Sequence, residues 1–232
     1  MYLRFFLLLI SIYLCSKAAS AADSDKTFPE LIKRARANMV ANKDWPLVLQ
    51  DADAALKLKP DSLDALCVKG HALAALKSDN SGAEMLTIVI DKTKTRDPLW
   101  EEAINTRAWA HEAHKQWSAV VHDIDIYLAH YPGSEACWYA RAKSLHTLGQ
   151  EQAALESINT SLKRNPQFLL SYALKARILQ SLGQDRQCIE VCNQGLKTDP
   201  KYWDFYKIRS ISYKALGDYH QQLQDICRGV AE

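Results

Sequence analysis

Beyond its first two dozen residues, the chain places apolar residues at helical spacing almost throughout. Between Ser134 and Pro166 they stand at Trp138, Ala142, Leu145 and Leu148, and then, past Gly149, at Ala154, Leu155, Ile158 and Leu162. Two amphipathic helices joined by one turn follow from this pattern. The first helix closes at Leu148-Gly149, where glycine can take the left-handed backbone that ends a helix. The second closes before Asn165-Pro166, because proline disfavours helix at the residue before it.

The pattern recurs along the chain. Pro98, Pro132, Pro166 and Pro200 follow one another at one constant interval, and only the step from Pro60 to Pro98 is longer. The added residues of that step are placed in the Ser78-Asp79-Asn80-Ser81-Gly82 turn. Aligned on the prolines, small residues recur at Gly70, Ala108, Ala142, Ala176 and Ser210, whereas the first repeat presents Arg36 there. Leu-Gly recurs at Gly149, Gly183 and Gly217. A small residue on the first helix of a repeat lets the second approach closely. Neither helix can bury its apolar face alone, so the repeats must stack on their neighbours.

Composition fits this reading. Apolar residues make up 48% and charged residues 24% of the 232, while eight Gly and seven Pro are few for a turn-rich β fold. Residues 1–22 are set apart: Arg4, the apolar run Phe5 to Leu14 and the small residues Ala18 to Ala22 have the order of a secretory signal. The run is about half the length of a bilayer span. Export to a periplasmic or extracellular space is therefore expected, with an uncleaved membrane anchor as the alternative. Without Arg4 and Lys17 the basic and acidic residues balance, which argues against nucleic acid as a partner.

The repeated columns resemble the tetratricopeptide repeat. They are carried by Trp138, Ala142, Leu145, Gly149, Ala154, Ile158, Ser161 and Pro166, and again by Tyr172, Ala176, Leu179, Gly183, Cys188, Cys192, Gly195 and Pro200. The resemblance implies an all-α fold, a right-handed α-solenoid superhelix of about six helix-turn-helix repeats over residues 23–232. The repeats are set at about 29–62, 63–100, 101–134, 135–168, 169–202 and 203–232. It also implies that the first helix of each repeat lines a concave groove that takes an extended peptide or a partner helix.

The groove candidates are Asn105, Trp109, Tyr139, Lys143, His146, Arg177, Lys207 and Lys214, with Cys67, His71, Leu170, Ala173 and Ile211 also counted inward. Lys143, Arg177, Lys207 and Lys214 give the C-terminal half a basic lean opposed mainly by Asp204, so an acidic protein or peptide segment is the expected partner. The carboxylate grip of some cytosolic co-chaperones does not carry over. Lys33 fits its first place, but Ala37, Val68, Glu102 and Thr106 occupy the others.

Other chemistry is sparse. No phosphate loop, nucleophile elbow or paired-carboxylate motif is present, and neither enzymatic activity nor a cofactor is expected. His111, His114 and His122 offer an alternative reading as a metal-dependent factor or enzyme, but His111 falls in an apolar packing column and the spacing is not that of a zinc helix. Cys188 and Cys192 sit in packing columns and read as core thiols, with a bridge to Cys227 as the alternative. Asn159-Thr160-Ser161 fits a glycosylation pattern but lies mid-helix, where Ser161 takes a packing position. The last helix ends without a polar covering helix, which leaves self-association through that end open. For the leader, N-terminal sequencing of the exported protein should read from Ala22 or Asp23, and an intact Met1 chain in membranes would show an anchor instead.

Overall fold

The computed structural model describes residues 27–76 and 80–230, and the leader lies outside them. Every regular element among the described residues is an α-helix, and none is long and apolar enough to cross a membrane. The helices form two units, one ending at His114 and one beginning at Lys115. The first holds α1 (Phe28–Val40), α2 (Trp45–Leu58), α3 (Leu63–Ala75), α4 (Ser81–Lys92) and α5 (Pro98–Ala113). The second holds α6 (Trp117–His130), α7 (Glu135–Thr147), α8 (Glu151–Arg164), α9 (Leu169–Ser181), α10 (Asp185–Thr198), α11 (Trp203–Ala215) and α12 (Tyr219–Val230). Within each unit, consecutive helices pack as antiparallel hairpins in series.

The turns close as the glycine column predicts. Gly149, Gly183 and Gly217 have φ of 73°, 69° and 78°. The amide after each donates back to Leu145, Leu179 or Tyr213 at 2.8–2.9 Å, the six-residue closure of a left-handed cap. The first repeat makes the same closure without glycine: Asn42 has φ 49° and Lys43 donates to Asn38 at 3.0 Å. The proline and aromatic columns are also linked. The side chains of Trp138, Tyr172 and Tyr206 donate to the carbonyls of Pro132, Pro166 and Pro200 at 2.9, 3.0 and 3.0 Å.

Helix-helix contact runs through the small column, where Ala142 and Ala176 are completely buried. The α3–α4 pair meets glycine to glycine. A Cβ on Gly70 would lie 2.7 Å from Leu86 Cγ, and one on Gly82 would lie 2.9 Å from the Gly70 carbonyl. Gly82 thus belongs to α4 and not to the turn in which the spacing placed it. The added residues of this region go mostly into α5, which has 16 residues where α3, α7, α9 and α11 have 13. Asp97 and Pro98 start α5 early, with the Asp97 carboxylate accepting from Leu99 N at 2.8 Å, so Pro98 begins a helix instead of following one.

The small residue of the first repeat is Ala35, fully buried against Val48 and Ala52, and not position 36. Its register is shifted by one because α1 begins one position further ahead of α3 than α7 does of α9. With that correction, the residue preceding the small column is basic in every repeat: Arg34, Lys69, Arg107, Arg141, Lys175 and Arg209. Five of the six are held by the neighbouring second helices. Arg34 pairs with buried Asp51, and Lys69 reaches Asp53 at 2.7 Å. Arg107 donates to Thr87 Oγ1 at 2.9 Å. Arg141 bridges Asp125 and Ser157 at 2.6 and 2.7 Å, and Arg209 grips Asp225 through two bonds at 2.7 and 2.6 Å.

Lys175 differs from the others. Asn159 and Val191 stand where Asp125 and Asp225 stand for its neighbours, and burial lowers its pKa. A methionine there removes a poorly compensated charge, so Lys175→Met should stabilise the protein by about 0.5–1 kcal/mol. Arg209→Met, which strands buried Asp225, should cost about 3–5 kcal/mol. Chemical denaturation of both variants measures the contrast, and equal losses would show that the basic column contributes nothing through its partners.

Candidate functional site

The first helices of the second unit, α7, α9 and α11, present successive inward positions to one another. Ala173 on α9 sits between Tyr139 and Lys207 in the repeat register, and its small side chain leaves a groove of about 320 Å³. Tyr139, Lys143, His146, Leu170, Ala173, Arg177, Tyr202 and Asp204 line it. Four of the eight candidates read from the sequence, Tyr139, Lys143, His146 and Arg177, are therefore brought to one place. Lys207 and Lys214 are exposed on α11 outside this lining, on the same helix as exposed Trp203 and Ile211.

Apolar and aromatic side chains form the walls of the groove. The Tyr139 ring lies 5.4 Å from that of Phe168, and Tyr202 packs at 5.0 Å on Phe205, which is itself fully buried. Burial raises the Tyr202 pKa and the adjacent Asp204 carboxylate adds to the shift. Phe168 and Tyr202 hold the same place in successive repeats, each immediately before a first helix. Tyr202 precedes its helix, so helix-face periodicity does not single it out, although an aromatic recurs at that place in Phe168.

The charges are more nearly matched than the sequence suggests. Arg177 forms an ion pair with Asp204. Nδ1 of His146 lies 2.7 Å from Glu151 Oε2, a contact that crosses the Gly149 turn. The Lys207 ammonium stands 5.7 Å from the Trp203 ring centroid, within cation–π range. Lys207 and Lys214 thus carry the basic lean of α11, while Arg177 is committed to Asp204.

The corresponding face of the first unit has a different character. His71 stacks on Trp45 at 5.5 Å and meets the Trp109 ring at 5.9 Å, and burial lowers its pKa, keeping the imidazole neutral. Beside it Arg36 bridges Asp64 and Glu102, the latter at 3.0 Å, so its charge is met within the unit. Asn105 and Trp109 are exposed on α5. Cys67 is not inward. It is fully buried with Leu86, Val89 and Ala103, and burial pushes its thiol pKa up.

His111 and His114 are half-buried and His122 is exposed, and among the described residues no group of three or more His, Cys, Asp and Glu side chains is placed to hold a metal ion. Cys67, Cys137, Cys188, Cys192 and Cys227 are free thiols. Cys188 and Cys192 are buried free thiols, whereas Cys227 is exposed on α12, so the bridge to Cys227 is not formed.

The comparisons with known proteins agree with this geometry. The family model described as tetratricopeptide repeat matches residues 136–168 and 169–202. No curated protein matches the chain. Among solved structures, a tetratricopeptide repeat protein from Parabacteroides merdae is similar with a TM-score of 0.73 and 16% identity, over 88% of this chain and 79% of that one. MamA from Desulfovibrio magneticus has a TM-score of 0.66 and 15% identity, over 74% and 94%. YrrB, described as a TPR protein with an unusual peptide-binding site, has a TM-score of 0.61 and 10% identity, over 78% and 91%. Residues 136–168 and 169–202 thus match the tetratricopeptide repeat model, and the all-helical fold around them is like that of these solved structures.

Proposed function

We propose that the chain is an exported interaction scaffold whose second unit holds an extended peptide or a partner helix along α7, α9 and α11. The observation that carries this reading is the groove at Ala173. Side chains from three successive first helices converge there on a hollow lined by Tyr139, Lys143, Leu170, Arg177 and Asp204, with Tyr202 at the entry to α11. Leu170, Trp203 and Ile211 leave apolar area exposed along the same face, and clustered exposed apolar residues rimmed by charge mark a surface for a partner. The likeness to a peptide-binding TPR protein supports the reading at the level of the fold. Export rests on the order of charge, apolar run and small residues in 1–22.

The ligand this face suits is a segment that inserts an apolar side chain beside Ala173 and sets acidic groups against the exposed Lys207 and Lys214. Arg177 has its partner in Asp204, so it shapes the wall instead of receiving the ligand's charge.

A displayed library of short random peptides, selected on the purified protein and measured by fluorescence anisotropy, tests this. Selected peptides should pair an apolar residue with acidic ones, and their affinity should fall as salt rises. Leu170→Asp with Ile211→Asp should weaken binding by about tenfold or more, since central apolar anchors carry most of such energy. Lys163→Ala on α8 should change nothing. Peptides that bind equally to the Asp variants would move the binding surface away from this face.

A further inference from the structure

A second hollow, of about 550 Å³, lies over α7 between the second helices α6 and α8. Trp138 lines it, and because its indole N–H donates to the Pro132 carbonyl at 2.9 Å, what it presents is the ring. Beside it the charge of Arg141 is met within the hollow: Asp125 accepts from it at 2.6 Å and Ser157 at 2.7 Å. Glu156, on the other wall, is exposed, and its carboxylate has no cationic partner among the described residues. Thr160 donates its hydroxyl proton to the Glu156 carbonyl at 3.0 Å, which leaves its oxygen able to accept. The next two repeats provide a comparison, since the same positions recur around Tyr172 and Tyr206. Asp125 becomes Asn159 and Asn193, and Glu156 becomes Glu190 and Gln224, so in this unit only Trp138 has a carboxylate at both places. Ala129, at the rim, becomes Lys163 and Lys197. The later sets are therefore basic, with Lys163 and Lys175 against Glu190, and Lys197, Arg209 and Arg228 against Asp225. The hollow over Trp138 has two carboxylates to one guanidinium.

We infer that the hollow over Trp138 binds an arginine side chain of a partner protein. The ligand brings the cation that Lys163 and Lys197 bring to the later repeats and that Ala129 does not. A guanidinium lies flat on an indole face and donates from its edge at the same time, so Trp138 and Glu156 can both engage it. Its remaining N–H groups have acceptors in the Thr160 hydroxyl and in the Asp125 oxygen that Arg141 leaves unused. Arg141 does not oppose this, because Asp125 already balances its charge. An ammonium is more strongly hydrated and cannot stack, which makes lysine the poorer ligand. At about 550 Å³ the hollow has several times the volume of a guanidinium, so it also receives the chain that carries the group, which favours a protein segment over a free guanidine. None of these residues lines the groove, so the inference stands apart from the groove reading.

The probe is a blocked pentapeptide with one central arginine between glycines and serines, titrated into the purified, isotope-labelled protein and followed by heteronuclear NMR. The Trp138 indole N–H and the backbone amides of Ala129, Glu156 and Thr160 should shift together and saturate, while those of Leu170 and Ala173 in the groove stay in place. Glu156→Gln should weaken the affinity by about tenfold, and rising salt should weaken it as well. Ala129→Lys, which installs the residue of the later repeats, should abolish binding. Both positions are exposed, so circular dichroism should be unchanged in either variant. Glu190→Gln, the matching change one repeat on, should leave the affinity as it was. The lysine version of the peptide should bind several-fold more weakly, and so should agmatine, which carries the guanidinium without a peptide chain. A peptide that leaves the Trp138 indole unmoved, or that binds the Glu156→Gln and Ala129→Lys proteins as tightly as the wild type, would overturn the inference. Agmatine bound as tightly as the peptide would overturn the assignment to a protein segment.

Discussion

The structure depends on how closely consecutive helices, within a hairpin and between hairpins, can approach. Where Gly70 faces Gly82 and where Phe205 lies on Gly195, a single methyl group would have to displace backbone or an aromatic ring. That approach sets the depth at which the apolar columns interlock. It turns the first helices of neighbouring hairpins toward one another, and the groove follows, since Ala173 makes room between Tyr139 and the α11 residues only when the three helices keep this register. Repeat stability is local for the same reason: each hairpin buries its face on its neighbour and on little else.

The column of basic residues beside the small column answers the electrostatic question that such close packing raises. A long cationic side chain beside a helix crossing is tolerated when the second helices supply acceptors, and Arg34, Arg141 and Arg209 have them. These pairs fix rotation and register more than they add stability, because a buried ion pair roughly balances its own desolvation. At α12 the ladder has a further effect. Gripping Asp225 draws the polar face of that helix inward and leaves Tyr219, Leu223 and Ile226 exposed.

The repeat was legible in the sequence because proline, glycine and small residues recur at fixed distances for stereochemical reasons. Its phase was lost where those markers lapse: no proline stands one repeat before Pro60, so Arg36 was aligned where Ala35 belongs, and the basic column went unread. Gly82 was assigned to the turn because spacing alone cannot tell a glycine that bends the chain from one that admits a neighbouring helix. At the groove, the helical faces give Tyr139, Lys143, His146 and Arg177, which line one hollow, but not Tyr202, because it precedes its helix. The Arg177–Asp204 pair depends on side-chain geometry across two helices, which periodicity does not encode.

The most direct test of close approach is Gly195→Ala, followed by thermal and urea denaturation. Helix propensity alone makes alanine the better residue by about 1 kcal/mol. Crowding against Phe205 costs about 1–3 kcal/mol, so the variant should be less stable than the wild type. Adding Phe205→Leu should recover part of the loss, so that the double variant is more stable than the sum of the single effects. A Gly195→Ala protein that melts higher than wild type would contradict the account, since it would mean that α10 and α11 do not meet at that glycine.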